Sequence, residues 1–214
     1  MDGGNVAAAF VGDYLAALAS SSAAPGGGSS AALSGAMGAA LVSMVANLTK
    51  GKAKYADSQA LVEETLKRTE KLLPELTDCV NKDMKAFDGV MAAFRMPKTT
   101  DEEKAERSRA VQEAYKGATG APVETAEKCL EVMRLAEGLL FKSNVTACVD
   151  LSAAAIEARA GILIALENVN VNLAAIHDDE YVSRMRAWAE NIDAESRRLL
   201  DVIREGAAKM AGGA

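Results

Sequence analysis

The chain has 214 residues, half of them hydrophobic, a quarter charged and 4% aromatic, with 24 Lys plus Arg against 30 Asp plus Glu. That length and apolar fraction suit one folded domain over residues 1–214 and exclude disorder, a collagen repeat and a disulfide scaffold. The net charge of −6 argues against nonspecific nucleic-acid binding, which depends on neutralising phosphates, but leaves room for a local basic pocket.

In chain order almost every segment reads as helix, and no period-two alternation marks a strand. Residues 5–20 form a first helix, with Val6, Phe10, Tyr14, Ala17 and Leu18 at helical spacing. The loop SSSAAPGGG follows. Residues 29–49 form a helix without charge, inside a run from Tyr14 to Thr49 that carries none. Its Ala, Gly and Ser content makes membrane insertion marginal, so the expectation is no membrane span and a helix buried on all sides at the centre of a bundle. A short basic turn, TKGKAKYA, leads to Asp57, the expected cap of a helix reaching about residue 95 and kinked at Pro74.

Thr100 and Glu103 make a capping box for the next helix. Gly117 and Gly120 are expected to end it before Pro122, which would open another helix to about residue 140. After a turn at 141–144, a largely uncharged helix covers 145–176, and Asp178 caps an amphipathic last helix. One all-α domain results. Two helices with little charge on any face exceed what one chain can hide, which suggests a dimer. Cys79, Cys129 and Cys148 have no metal spacing; they read as reduced core thiols of a cytoplasmic protein. His177 reads as a surface or capping residue, and no metal site is expected.

Four constellations could carry chemistry. Pro25-Gly26-Gly27-Gly28-Ser29-Ser30 opens the uncharged helix; glycines allow close approach, and free N–H groups there favour an anion or a carbonyl oxygen. A flexible turn explains it equally. The stripe Leu72, Leu76, Cys79, Asp83, Phe87, Val90, Phe94 follows one helix face and places an aspartate where the core should be. Such a carboxylate either pairs with a buried cation or is tuned for acid–base work. On the helix after Asn144, the line Asp150, Ala154, Glu157, Gly161, Ala165, Asn168, Asn172 could edge a polar pocket or be a solvated face. Lys50, Lys52, Lys54, Arg95, Lys98 and Lys142 could attract a ligand's carboxylates or be solvated turn charges.

The stretch 25–32 running into Met37-Gly38-Ala39-Ala40-Leu41 resembles the formimidoyltetrahydrofolate cyclodeaminase/methenyltetrahydrofolate cyclohydrolase family. So do Asp83-Met84-Lys85-Ala86-Phe87, Arg95-Met96-Pro97-Lys98-Thr99-Thr100 with Glu102-Glu103-Lys104 and Arg107, Asn144 six residues before Asp150, and Asn168-Val169 with Asn172-Leu173. Together they cover about residues 5–205. The resemblance implies an all-α bundle around a buried central helix, a homodimer, a tetrahydrofolate derivative as substrate, and no metal or further cofactor. It places the acid–base group at Asp83, and it puts Asp150 and the glycine loop near the folate. Lys142-Ser143-Asn144 departs from the animal domain's Cys-Gly-Asn.

The resulting expectation is hydrolysis of 5,10-methenyltetrahydrofolate to 10-formyltetrahydrofolate. Asp83 would shuttle the proton and Asp150 would hold a ring or water. Gly26, Gly27, Gly28, Ser29, Lys52, Lys98, Lys142, Asn144 and Asn168 would bind substrate. The alternatives are cyclodeamination releasing ammonia and, outside enzymes, a helical scaffold dimer.

Overall fold

The computed structural model describes residues 11–212. Its helices are α1 (Val11–Leu18), α2 (Gly27–Thr49), α3 (Gln59–Phe94), α4 (Asp101–Gly138), α5 (Cys148–Leu173) and α6 (Asp179–Gly212), with short 3-10 turns at Ala53–Ser58 and Val145–Ala147. The all-α expectation holds among the described residues. Residues 5–10 of the expected first helix, including Val6 and Phe10, lie outside them.

The helix starts follow local chemistry where a side chain can reach the first turn. The Thr100 hydroxyl accepts from the Glu103 N–H at 3.2 Å, and the Glu103 carboxylate accepts from the Thr100 N–H at 3.1 Å. Asp178 accepts from the Tyr181 N–H at 3.0 Å. Asp57, by contrast, lies in the 3-10 turn, and α3 starts after Ser58 without a side-chain cap. At the end of α2 the chain reverses through Gly51, whose φ of 73° favours a residue without Cβ.

The expected break at 117–122 does not occur: α4 runs 38 residues through Pro122. Pro74 likewise sits within unbroken α3. Packing on both sides outweighs the hydrogen bond each proline removes.

Helices α3, α2, α5 and α6 pack side by side in that order, and α4 lies behind, touching all four. Leu72, Leu76, Val42, Met133, Leu151, Ile162, Leu199 and Ile203 fill the space between these layers. Close contact of α2 with α5 depends on small residues. A Cβ on Gly161 would come within 2.7 Å of the Ala31 carbonyl oxygen, and one on Gly38 within 2.9 Å of the Ala154 carbonyl oxygen.

The central helix departs from expectation. One side of α2 is buried against α3, α4 and α5. Its other side is open, with Met37 43% and Leu48 44% exposed and Leu41 and Met44 between them. Small residues let α2 approach its neighbours, but among the described residues nothing covers the face that carries Met37, Met44 and Leu48. The line Asp150, Ala154, Glu157, Gly161, Ala165 is also not a pocket edge, because Ala154, Gly161 and Ala165 are buried; only its far end, at Asn168 and Asn172, reaches a cavity.

Candidate active site

Helix α2 begins later than its neighbours run, so its first turn closes one end of a gap between α3 and α5. Helix α4 supplies the floor. The gap is a cavity of about 290 Å³, near the small end of the range for small-molecule sites. From α3 come Asp83, Phe87, Val90 and Phe94; from α4, Tyr115, Ala118 and Pro122; from α5, Asn168, Val171 and Asn172. Larger grooves of about 520 and 370 Å³ run between α5 and α6. Their charges, such as Asp201, Arg204 and Glu190, lie on the surface.

Asp83 joins the cavity to the start of α2. Its Oδ2 accepts from the Ser29 hydroxyl at 3.0 Å. Asp83 thus lies against the first turn of α2, where Gly26 at the N-cap has no side chain to serve the free N–H groups. Gly28 makes room for it: a Cβ there would lie 1.9 Å from Asp83 Oδ1. Burial pushes the Asp83 carboxyl group above the usual aspartate range, and hydrogen bonding to Ser29 pulls against that shift. Among the described residues no cation holds it down. The nearest lysine in sequence, Lys82, turns to Glu124 at 2.9 Å and to Asp78 at 3.3 Å.

The rest of the cavity is aromatic and amide-lined. Phe87 and Phe94 continue the apolar stripe of α3 past Asp83, yet they are 41% and 40% exposed, because beyond α2 no helix among the described residues covers them. Phe94 meets Tyr115 edge to face with ring centroids 6.1 Å apart, and Arg107 lies over Phe94 at 5.3 Å. Asn168 donates to the Ile164 carbonyl at 2.8 Å. A Cβ on Gly27 would sit 3.8 Å from the Asn168 amide nitrogen, so the glycine loop and Asn168 meet at one wall.

The structure therefore brings Gly27, Gly28, Ser29, Asp83 and Asn168 together, with Gly26 at the N-cap. Lys98 lies in the loop after Phe94, about 16 Å along α3 from Asp83 at 1.5 Å per residue. The floor residues Tyr115, Ala118 and Pro122 were not anticipated. Their 3 and 4 spacing is a helix face, obscured by reading Gly117, Gly120 and Pro122 as a break. Pro122 has no N–H to offer the Ala118 carbonyl, so that acceptor loses its helical donor beside the cavity.

The other expected site residues lie elsewhere in the chain. Asn144 contacts the end of α2: its N–H donates to Thr49 Oγ1 at 2.9 Å, its amide donates to the Leu48 carbonyl at 3.4 Å, and its Oδ1 accepts from Thr146. Its side chain holds the end of α2 to the turn before α5. Lys52 and Lys142 flank this latch, and Asp150 is in the first turn of α5. About 27 Å of helix separates Asp150 from Asn168. One chain cannot place them against the same small molecule as Asp83, because α2 and α5 hold the two ends apart. His177 is exposed and gives only its backbone N–H, to Gln112. Cys79, Cys129 and Cys148 are free and buried. Among the described residues no three His, Cys, Asp or Glu side chains are grouped to hold a metal.

Known proteins match this chain in sequence and in fold. The chain is 44% identical over 192 residues to a methenyltetrahydrofolate cyclohydrolase of Methylorubrum extorquens, covering 90% of this chain and 92% of that one. It is 32% identical over 178 residues to the formimidoyltransferase-cyclodeaminase of Sus scrofa, but spans only 33% of that longer protein. The crystal structure of a formiminotetrahydrofolate cyclodeaminase from Thermotoga maritima superposes with a TM-score of 0.80 at 26% identity, covering 97% of this chain and 98% of that one. Residues 10–191 match the formiminotransferase-cyclodeaminase family, and the chain belongs to that family.

Proposed function

We propose that the protein is a methenyltetrahydrofolate cyclohydrolase. The observation that carries this reading is a half-buried carboxylate, Asp83, with no cation beside it among the described residues, at the closed end of an aromatic cavity. The reacting carbon of 5,10-methenyltetrahydrofolate lies in a cationic amidinium, so the substrate supplies the positive charge that the protein withholds. The relative at 44% identity bears this activity in its name.

Water adds to the methenyl carbon and gives up a proton to the ionised Asp83. The protonated Asp83 then delivers it to the departing ring nitrogen N5. As the carbon–N5 bond breaks, the hydroxyl oxygen becomes the formyl carbonyl and its proton leaves to solvent, so one proton is released per turnover. The first turn of α2 and Asn168 offer polar contacts for the ring. Phe87 supplies an apolar surface. Lys98, beyond Phe94, lies on the side where the substrate's glutamate carboxylates would extend. In the deaminating alternative the same carboxylate protonates departing ammonia, and the fold match to a cyclodeaminase keeps that reading in play.

The open face of α2 is assigned to a second copy. Ser30, Ser34, Met37, Leu41, Met44 and Leu48 recur at steps of 4 and 3, the spacing of a helix–helix seam, and Ile156 and Leu163 are exposed on adjacent α5. An antiparallel pairing would carry Lys52, Lys142 and Asp150 of one protomer toward the Asp83 end of its partner. Met44→Glu should then yield a monomer by light scattering; a wild-type protein already monomeric overturns the pairing. The cytoplasm is the expected compartment, and no cofactor beyond the folate itself is called for.

Two assays test the function. Loss of the methenyl chromophore should be fast with purified protein, and ammonium release from formiminotetrahydrofolate should be much slower. The reverse order would make the protein a cyclodeaminase. Activity in neither would return it to the scaffold reading.

A further inference from the structure

One buried polar group at the Asp83 end has no role in the mechanism above. Tyr14, the buried residue of α1, is 6% exposed, and its ring packs in a cluster with Ala32, Cys79 and Val80. Among the described residues its hydroxyl is shut off from solvent with no hydrogen-bond partner. Ala32 is one turn past Ser29 on α2 and Val80 one turn before Asp83 on α3, so the ring packs beside the Ser29–Asp83 pair, near enough to Ser30 and Asp83 for both to act on the phenol. A buried hydroxyl without a partner is costly and rare, and phenylalanine would fill the same volume without that cost. Tyrosine at this position therefore fits a hydroxyl that is used in another state of the site.

That other state is the ionised carboxylate of the reaction cycle. Among the described residues Asp83 accepts a side-chain hydrogen bond from Ser29 alone, whereas a carboxylate can accept several. Burial above all, and the Asp83 charge in addition, hold the phenol above its ordinary pKa against a pull from Ser30, so Tyr14 stays a donor. We propose, on the reading of Asp83 as the proton shuttle, that Tyr14 is a positioning residue whose hydroxyl donates to the Asp83 carboxylate when it ionises and keeps it turned toward the cavity. Tyr14 acts through Asp83 and does not line the cavity itself.

Few other groups bear on this pair. Helix α2 has no ionisable side chain from Gly27 to Thr49. On α3, the Cys79 thiol is buried and pushed up by burial, and Lys82 is engaged by Glu124 and Asp78. Asp13 on α1 is exposed.

The test is Tyr14→Phe in the full chain, measured beside Asp83→Asn. Stability should be unchanged or higher, because an unpartnered hydroxyl is removed. The kcat should fall about tenfold, as for loss of one hydrogen bond to a charged group, with KM for methenyltetrahydrofolate nearly unchanged. The acidic limb of the kcat profile should move to higher pH, since the charged form has lost a donor. Replacing Tyr14 with 3-fluorotyrosine, a stronger donor of nearly the same shape, should move that limb the other way, and it decides the matter alone if the phenylalanine variant does not fold. Wild-type kcat with an unmoved limb overturns the proposal. An active Asp83→Asn overturns the shuttle reading instead, so the two failures are distinguishable.

Discussion

Helix α3 is two helices in character. Before Asp83 the charges are matched across to α4: Arg68 pairs with Glu131 and Glu75, Lys128 reaches Glu75 at 2.8 Å, and Lys82 reaches Glu124 at 2.9 Å. The apolar residues Leu72, Leu76 and Cys79 are fully buried against neighbours. Past Asp83 both rules lapse. The carboxylate has no cation, and Phe87 and Phe94 are open to a cavity. The same helix and the same spacing thus serve stability where α2 covers it and recognition where α2 has ended. A buried charge left uncompensated, beside apolar rings left uncovered, marks the half kept for a ligand.

Four substitutions sharpen or break that contrast. Asp83→Asn should lower turnover of methenyltetrahydrofolate by roughly 10²- to 10⁴-fold, the usual worth of a general acid–base group, while the fold is retained by circular dichroism. Its effect on stability has a defined sign. Because the folded-state pKa of Asp83 is raised, its contribution is full below the ordinary aspartate value and is lost as pH rises through the raised one. The Asn variant should therefore gain on wild type as pH rises from 4 to 7 in thermal melts; a constant gap would contradict the burial of an uncompensated carboxylate.

Next comes Gly28→Ala. The added methyl would collide with Asp83 Oδ1 at 1.9 Å, so the carboxylate must move. About 10²-fold loss of kcat is expected from a displacement near 1 Å, with lowered thermal stability from overpacking. Activity near wild type would show that the position of Asp83 is not critical. Phe87→Ala should raise KM about tenfold with kcat nearly intact, since it removes apolar contact that is equal in ground and transition states. A Phe87 effect on kcat alone would place the ring closer to the chemistry.

The smallest effect belongs to the first half of α3. Glu75→Gln removes a carboxylate held below its usual range by Lys128 and, more weakly, by Arg68. It is partly exposed, so the loss at pH 7 should stay under about 1 kcal/mol. For this group the sign is opposite to Asp83: the stabilisation is present above the ordinary glutamate value and lost as pH falls through the lowered one. Denaturant titration at pH 7 and pH 3 checks it, and the steady-state rate should not change.

Much of this was legible from local chemistry. The capping box at Thr100 and the cap at Asp178 need only a side chain and the next turn. The stripe that isolates Asp83 needs only helical periodicity. The misread elements share a cause: Pro122 and the glycines near it have intrinsic preferences that oppose helix, and the packing of α4 against four other helices overrides them. The Asn144 amide bonds to Leu48, a partner 96 residues away in sequence that no local pattern reveals.

What the sequence determined by itself was the family, the all-helical class and one aspartate on an apolar face, because periodicity and short motifs are properties of neighbouring residues. Tertiary structure alone decided that α2 stops short, that the gap it leaves is walled by α3 and α5 and floored by α4, and that Asp83 meets Ser29 there without a cation. Cavities and charge pairing depend on where distant helices end relative to one another, and those relative positions are fixed only when the whole core packs.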